Sequence, residues 1–170
     1  MKRTANINEI LKPLESCHEQ AYLSNAIQVA DILDWIIKQF GSVEVWQTSF
    51  SISEEFLRRL YFINKRSKGI SKYKLLLDFK ATKKTLSLWP FICQTISEVY
   101  LADNHSKILL AKNEKGCVSV ITSQNLTRGN RAESAYITTS KIIFQNLKEQ
   151  IEDVINNHSL TLHELYNRTD

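Results

Sequence analysis

The chain has 170 residues, of which 22 are Lys or Arg and 18 are Asp or Glu, so its formal net charge is +4. Apolar residues make up 43% and charged residues 24%, as in ordinary soluble domains, and four glycines and two prolines exclude a collagen-like or low-complexity chain. No stretch reaches the roughly 18 consecutive apolar residues of a membrane helix, and the N-terminus lacks the apolar segment of a secretory signal.

The first half of the chain alternates between helical and strand patterns. Residues 24–40 place apolar side chains at three- and four-residue steps, which predicts an amphipathic helix that ends at Gly41. A β-rich strand at 43–50, a helix that begins with the capping-box residue Ser51, and an apolar strand at 73–79 follow in that order. This alternation is typical of parallel strands joined by crossover helices.

The second half is richer in strands. The pattern predicts a helix over 83–97 with a kink at Pro90, strands at 98–103, 106–112, 117–122 and 135–140, a helix over 141–157 and a short helix at 159–166. The turn residues 113–116 join two of these strands into an antiparallel hairpin. We expect one cytoplasmic α/β domain (1–170), with an N-terminal segment 1–20, a C-terminal tail 159–170, and a mixed β-sheet flanked by helices on both faces.

Polar side chains concentrate at one end of the predicted hairpin. His105 and Lys107 stand two residues apart where its first strand begins, so their side chains point to the same side. Ser123 and Asn125 have the same spacing just after its second strand ends. Because the two strands pair antiparallel, all four residues converge at one end of the sheet. An imidazole, an ammonium, a hydroxyl and a carboxamide together suit a tetrahedral anion.

These residues resemble the phospholipase D superfamily, whose signature is H-x-K, then an Asp, then a strand end G-S-x-N. His105-Ser106-Lys107 and Thr122-Ser123-Gln124-Asn125 match the two parts, and Glu133 lies where the family commonly keeps a structural or site-lining Glu. The chain departs from the signature where Lys112 stands in the Asp position and Thr122 in the Gly position.

The resemblance implies a phospholipase D-like α-β-α sandwich and a phosphodiesterase that needs no metal or other cofactor. In this mechanism His105 forms a phosphohistidine, Lys107 and Asn125 hold non-bridging oxygens, and Ser123 orients His105 or the phosphate. A second His has to protonate the leaving oxygen. Because the sequence contains one such motif, the resemblance implies a homodimer with a shared site. The basic surplus and the lack of a lipid-binding apolar surface favour nucleic acid as substrate, without a membrane.

Several alternatives remain open at this stage. Lys112 supports a weak or inactive relative that binds nucleic acid or a protein partner. Arg128 and Arg131 follow the proposed site, where they either contact substrate phosphates or are solvated, and Glu133 is either site-lining or solvated. A basic cluster around Gly69 either contacts a nucleic-acid backbone or forms a solvated loop; it comprises Lys65, Arg66, Lys68, Lys72 and Lys74.

Overall fold

The computed structural model describes residues 6–167, and its centre is one mixed sheet. The strands are β1 (Glu19–Ser24), β2 (Val43–Ser49), β3 (Ile70–Asp78), β4 (Glu98–Ala102), β5 (Ile108–Asn113), β6 (Gly116–Thr122), β7 (Glu133–Thr138) and β8 (Leu160–Thr161). The α-helices are α1 (Val29–Phe40), α2 (Glu54–Ser67), α3 (Thr82–Ser87), α4 (Trp89–Thr95), α5 (Lys141–His158) and α6 (Leu162–Asn167), with 3-10 turns at Ile7–Glu9 and Phe79–Ala81.

The strand order is β1-β7-β6-β5-β2-β3-β4-β8. Strands β2, β3 and β4 pair in parallel, whereas β5, β6, β7 and β1 join by antiparallel pairs and β8 pairs antiparallel to β4. The carboxyl ends of β2, β3, β4 and β6 therefore lie at the same edge of the sheet as the starts of β5 and β7. We call this the site edge and the other one the far edge.

Helices cover both faces of the sheet, as the sequence predicts. One face packs against α1, α2 and α4, where Leu33, Leu57 and Ile92 are almost fully buried. The opposite face packs against α5 through Phe144 and Ile151. The predicted α/β sandwich with a mixed sheet is confirmed. Within residues 6–167, no helix is both long enough and apolar enough to traverse a bilayer.

The start of the first helix differs from the sequence prediction. Residues 19–24 form an edge strand that pairs with β7, so the helix begins at Val29 rather than at 24. The carboxylate of Asp31 accepts the backbone N–H of Gln28 at 2.7 Å, which caps this start. Its predicted end is confirmed, because Gly41 takes a positive φ of 84° and donates its N–H to Ile37.

Other boundaries also move by a few residues. Helix α2 is capped by Ser53, whose hydroxyl accepts the Phe56 N–H at 3.3 Å, rather than by Ser51. The predicted helix over 83–97 is two helices that meet at Leu88, because Pro90 takes the second position of α4. The predicted tail contains β8 and α6. Residues 1–5 and 168–170 of the predicted terminal segments lie outside the described residues.

The hairpin of β5 and β6 sets the register at the site edge. Asn113 pairs with Gly116, which leaves a two-residue turn of Glu114 and Lys115 at the far edge. From there the pairing continues to Ile108 opposite Ile121, and Thr122 donates its N–H to the Lys107 carbonyl at 3.0 Å. The strand β5 begins at Ile108, so the H-x-K segment precedes the strand.

Candidate active site

The H-x-K segment lies in the short connection between β4 and β5, at the site edge. The Lys107 ammonium donates to the His105 carbonyl oxygen at 2.6 Å and lies 3.4 Å from His105 Nδ1. The His105 ring is exposed and meets the Phe50 ring edge-on, with 5.4 Å between ring centroids. The imidazole is therefore open to solvent and held between an aromatic ring and a cation.

A hydrogen-bond network beneath the H-x-K segment fixes its backbone. The Ser106 hydroxyl lies 2.8 Å from Thr48 Oγ1 and 2.5 Å from Asn104 Oδ1. The buried Asn104 amide donates to the Ser49 carbonyl at 3.1 Å, and the Asn104 N–H donates to Asp78 Oδ2 at 3.0 Å. Because these partners end β2 and β3, the segment that carries His105 is tied to two parallel strands.

The S-x-N segment forms the opposite side of the site. Asn125 Oδ1 accepts the backbone N–H of Phe50 at 3.2 Å, which leaves the Nδ2 group as the donor of this side chain. The Ser123 hydroxyl donates to the Glu133 carboxylate and accepts the Ser134 N–H at 3.1 Å. Buried Gln124 points inward and donates to the Ile27 carbonyl at 2.9 Å.

Thr122, in the position where the family signature has Gly, stabilises this turn. Its hydroxyl donates to the Ser134 carbonyl at 2.8 Å and accepts the Gln124 N–H at 3.1 Å. The β-branched residue therefore fits the strand end with both functions of its hydroxyl satisfied.

Charge at the site centres on Lys107. Burial lowers the pKa of its ammonium below the usual lysine value, while the carboxylates of Glu133 and Asp78 act in the opposite direction. Lys107 is therefore electrostatically coupled to Glu133 across the site. The structure brings His105, Lys107, Ser123, Asn125 and Glu133 together at one edge, as an ammonium, amide and hydroxyl beside an imidazole.

The two candidate arginines occupy the loop that follows the S-x-N segment. Arg128 is exposed and forms an ion pair with Glu55 on α2, at 3.4 Å between nitrogen and oxygen. Arg131 is exposed farther along the same loop. Arg128 thus has a carboxylate partner already, which reduces the positive charge that it offers to a ligand.

Lys112 lies at the other end of β5, away from these groups. Five residues of extended strand separate it from Lys107, about 17 Å. Its ammonium lies 5.7 Å from the Trp46 ring centre and 4.0 Å from the Glu44 carboxylate. The residue in the family's Asp position therefore contacts the α5 face of the sheet and does not line the site.

Three residues that shape the site were not singled out in the sequence: Phe50, Asp78 and Asn104. Each lies at or just after the carboxyl end of a parallel strand, where ligand sites of such sheets occur. That rule, applied to the predicted strand ends at 50, 79 and 103, indicates the right part of the sheet.

Within residues 6–167, no group of three or more His, Cys, Asp or Glu side chains could hold a metal ion.

Comparison with known proteins gives matches among solved structures only. No family model matches the chain, and no curated protein sequence does. Nuc from Salmonella typhimurium, a phospholipase D family member, superposes with a TM-score of 0.63 at 14% identity, over 84% of this chain and 96% of Nuc. NucT from Helicobacter pylori gives a TM-score of 0.62 at 12% identity, over 82% of this chain and 96% of NucT.

A DNA-binding protein shares the same fold. The archaeal chromatin protein TrmBL2, whose structure shows a novel mode of DNA binding, gives a TM-score of 0.57 at 12% identity, over 86% of this chain and 55% of TrmBL2. These similarities show the architecture, and the chain has the phospholipase D superfamily fold.

Proposed function

We propose that this chain, on its phospholipase D fold, is a metal-independent phosphodiesterase that cleaves nucleic acid through a phosphohistidine. The observation that carries the proposal is the convergence of His105 with the Lys107, Ser123 and Asn125 side chains at the site edge. An exposed imidazole beside a cation and an amide donor suits nucleophilic attack on a phosphodiester.

The chemistry divides into two displacements at phosphorus. In the first, a His105 ring nitrogen forms a bond to phosphorus while the bond to the leaving oxygen breaks, and a second imidazolium protonates that oxygen. In the second, water attacks phosphorus as the same second imidazole removes its proton, and the bond to His105 breaks. Lys107 and the Asn125 Nδ2 group bind the non-bridging oxygens throughout.

Glu133 serves this mechanism by orienting Ser123. The Ser123 hydroxyl donates to Glu133 and so keeps its lone pairs toward the Ser134 N–H. The Glu133 charge also favours the protonated form of Lys107, against the effect of burial. Glu133 thus acts as a positioning residue that maintains the cation of the site.

The second imidazole is supplied, in this proposal, by a second copy of the chain. Among the other histidines, His18 is beside Thr139 at the far edge and His163 contacts Trp89. His158 ends α5 beside the edge strand β8, which β3 and β4 separate from β2 and its neighbour Phe50. A homodimer whose two-fold axis passes between the His105 rings completes the site with two identical contributions.

An exposed apolar surface next to the site supports this dimer. Leu23 is 76% exposed on β1, and Ile121 is 41% exposed on β6, one residue before Thr122. Tyr136 of β7 lies opposite Ile121 on the same side of the sheet. Burial of such side chains against a second copy favours association.

Hydrolysis of bis(p-nitrophenyl) phosphate and of single-stranded DNA in EDTA tests the enzyme. We expect turnover by the wild type, loss in His105→Ala, and an acid-labile phosphoprotein in rapidly quenched wild-type reactions. To test the shared site, wild type is mixed with excess His105→Ala and allowed to exchange subunits. A shared site predicts that activity falls with the square of the wild-type fraction, whereas independent sites predict a linear fall.

The alternative is a domain that binds nucleic acid without cleaving it. The TrmBL2 fold similarity favours it, because that structure is described by its mode of DNA binding. DNA binding by the wild type, with no turnover of either substrate and no phosphoprotein, would support this alternative over the enzyme.

A further inference from the structure

Three lysines lie close together on a short helical segment at the site edge. The 3-10 turn Phe79–Ala81 continues directly into α3, and this segment begins where β3 ends. Lys80, Lys83 and Lys84 follow an i, i+3, i+4 spacing, so they share one face of the segment, and all three are exposed. The other side is anchored by buried Ala81 and Thr85. We call the three lysines the lysine trio.

The trio is rigidly connected to the candidate active site. The Lys80 N–H donates to Asp78 Oδ1 at 2.7 Å, and Asp78 Oδ2 accepts the Asn104 N–H at 3.0 Å. Asn104 immediately precedes His105. A single carboxylate thus joins the backbone of the trio segment to the backbone beside His105, so the lysines have a fixed position next to the site.

The positive charge of the trio is not neutralised by carboxylates of the described residues. In the part of the chain that the structure describes, none of the ion pairs involves Lys80, Lys83 or Lys84. Like charges at these spacings destabilise a helix, and cations near a helix N-terminus are unfavourable. The fold therefore maintains a positive surface here at a cost to its own stability.

The basic cluster around Gly69 is different. Lys72 binds Glu98 at 2.5 Å, Arg66 binds Asp34 at 2.5 Å, and Lys74 lies 3.8 Å from Glu152. Most of its charge is thus compensated. Its remaining members, Lys65 and Lys68, lie at the end of α2 at the far edge.

We propose that the lysine trio binds the backbone phosphates of a nucleic-acid strand next to the phosphate held at His105. This inference rests on the proposed function, and it specifies a polynucleotide as the substrate rather than a small phosphodiester. A small phosphodiester fills the site without reaching the trio, whereas a polynucleotide presents further phosphates to it. Because these contacts are to phosphates, they are independent of base sequence and sensitive to salt.

The test compares two triple variants of the full chain by fluorescence anisotropy with a fluorescein-labelled single-stranded DNA. One carries Lys80→Gln, Lys83→Gln and Lys84→Gln. The matched control carries Lys65→Gln, Lys115→Gln and Lys141→Gln, which removes three exposed lysines from the far edge. Binding is measured between about 50 and about 200 mM salt, and thermal unfolding by circular dichroism verifies that each variant is folded.

We expect the trio variant to bind at least about tenfold more weakly and its slope of log K against log salt to fall by roughly 2. The control should bind like wild type. Equal binding by the two variants, or no DNA binding by the wild type, overturns the inference. The inference is also overturned if poly-L-glutamate, at matched charge, displaces the labelled DNA as effectively as unlabelled DNA does. The surface would then recognise acidic polymers in general.

Hydrolysis separates this inference from the proposed function. The trio variant should keep wild-type turnover of bis(p-nitrophenyl) phosphate, and loss of that turnover would show that the lysines act on the site itself and would overturn the inference. If the wild type hydrolyses neither substrate but the binding difference persists, the proposed function fails and the trio is still a nucleic-acid surface.

Discussion

Asn125 and Phe50 are joined by a hydrogen bond of 3.2 Å, from the Phe50 backbone N–H to Asn125 Oδ1. The same Phe50 places its ring edge-on to His105. One residue after the end of β2 therefore orients both the candidate amide donor and the candidate nucleophile. The amide has two functions that substitutions can separate, since its oxygen accepts the Phe50 N–H and its nitrogen, in the proposed function, donates to the phosphate.

Replacement of Asn125 by Asp should abolish turnover while it preserves the fold. Aspartate keeps the acceptor for the Phe50 N–H but replaces the Nδ2 donor with a negative charge. We expect kcat/KM for bis(p-nitrophenyl) phosphate to fall at least about 100-fold, with Tm close to wild type. Asn125→Leu removes the acceptor as well and should cost about 1–3 kcal/mol of unfolding free energy. Wild-type kcat/KM in Asn125→Asp would contradict the assigned role.

Replacement of Lys112 by Asp restores the residue of the family signature but should not raise the proposed phosphodiesterase activity. The new carboxylate would face Glu44 across the strand pair, and the contact of the ammonium with the Trp46 ring would be lost. Together these changes should cost about 1–2 kcal/mol of unfolding free energy, measured by urea denaturation. The variant Lys112→Met, which removes the charge alone, should lie between wild type and Lys112→Asp. A several-fold rise in kcat for Lys112→Asp would show that position 112 acts on the reaction.

Phosphate binding should weaken as the pH rises, and this loss should occur below the usual pKa of a lysine. The pKa of Lys107 is lowered by burial, and only its protonated form attracts the anion. Inhibition by inorganic phosphate should therefore decline below the usual lysine pKa of about 10.4. Lys107→Arg should extend binding to higher pH, because guanidinium stays charged. Identical profiles for the two proteins would assign the alkaline limb to another group.

Docking of α5 should depend on pH through Glu152. Burial acts to raise the pKa of this carboxyl, but hydrogen bonds from Lys148 and Trp46 and the charge of Lys74 outweigh it, so the pKa lies below its ordinary value. A lowered carboxyl pKa stabilises the folded state above the unfolded-state pKa, and this contribution disappears in acid. We expect Glu152→Gln to cost about 1–2 kcal/mol near neutral pH.

The difference in unfolding free energy between wild type and Glu152→Gln should then shrink as the pH falls below ~4.5. Urea denaturation across the pH range measures it. Glu149→Gln is the matched control on the same helix, since its contact is an exposed hydrogen bond with Gln145. A constant difference down to acid pH would show that Glu152 acts by packing and not by its charge.

The spacing of the motif residues made the core of the site predictable. His105 and Lys107 lie just before one strand of a hairpin and Ser123 and Asn125 just after the other, so antiparallel pairing alone brings them together. The hairpin turn that the sequence predicts at residues 113–116 is confirmed by the pairing of Asn113 with Gly116. A hairpin is determined by local sequence, so this part of the site can be predicted without knowledge of the rest of the fold.

Residues that depend on strand order were not predictable in the same way. Phe50 and Asn125 are 75 positions apart, and their contact exists because β2 pairs with β5 inside the sheet. The lysine trio was missed for a local reason. The predicted helix began at 83, which left Lys80 outside it, whereas the helical segment starts at Phe79 after the Asp78 cap. Likewise, strand β1 needs its partner β7 to be recognised as a strand.

The two-residue turn at Glu114 and Lys115 has a consequence far from its own position. It places Lys107 opposite Thr122, because the pairing of Asn113 with Gly116 sets the register of all the following residue pairs in the hairpin. Side chains on a strand alternate between faces, so a shift of one residue turns every following side chain to the other side. An insertion in this exposed loop would touch no residue of the site. If the insertion shifted the pairing by one residue, it would nevertheless misalign the imidazole and ammonium with the hydroxyl and amide across the hairpin.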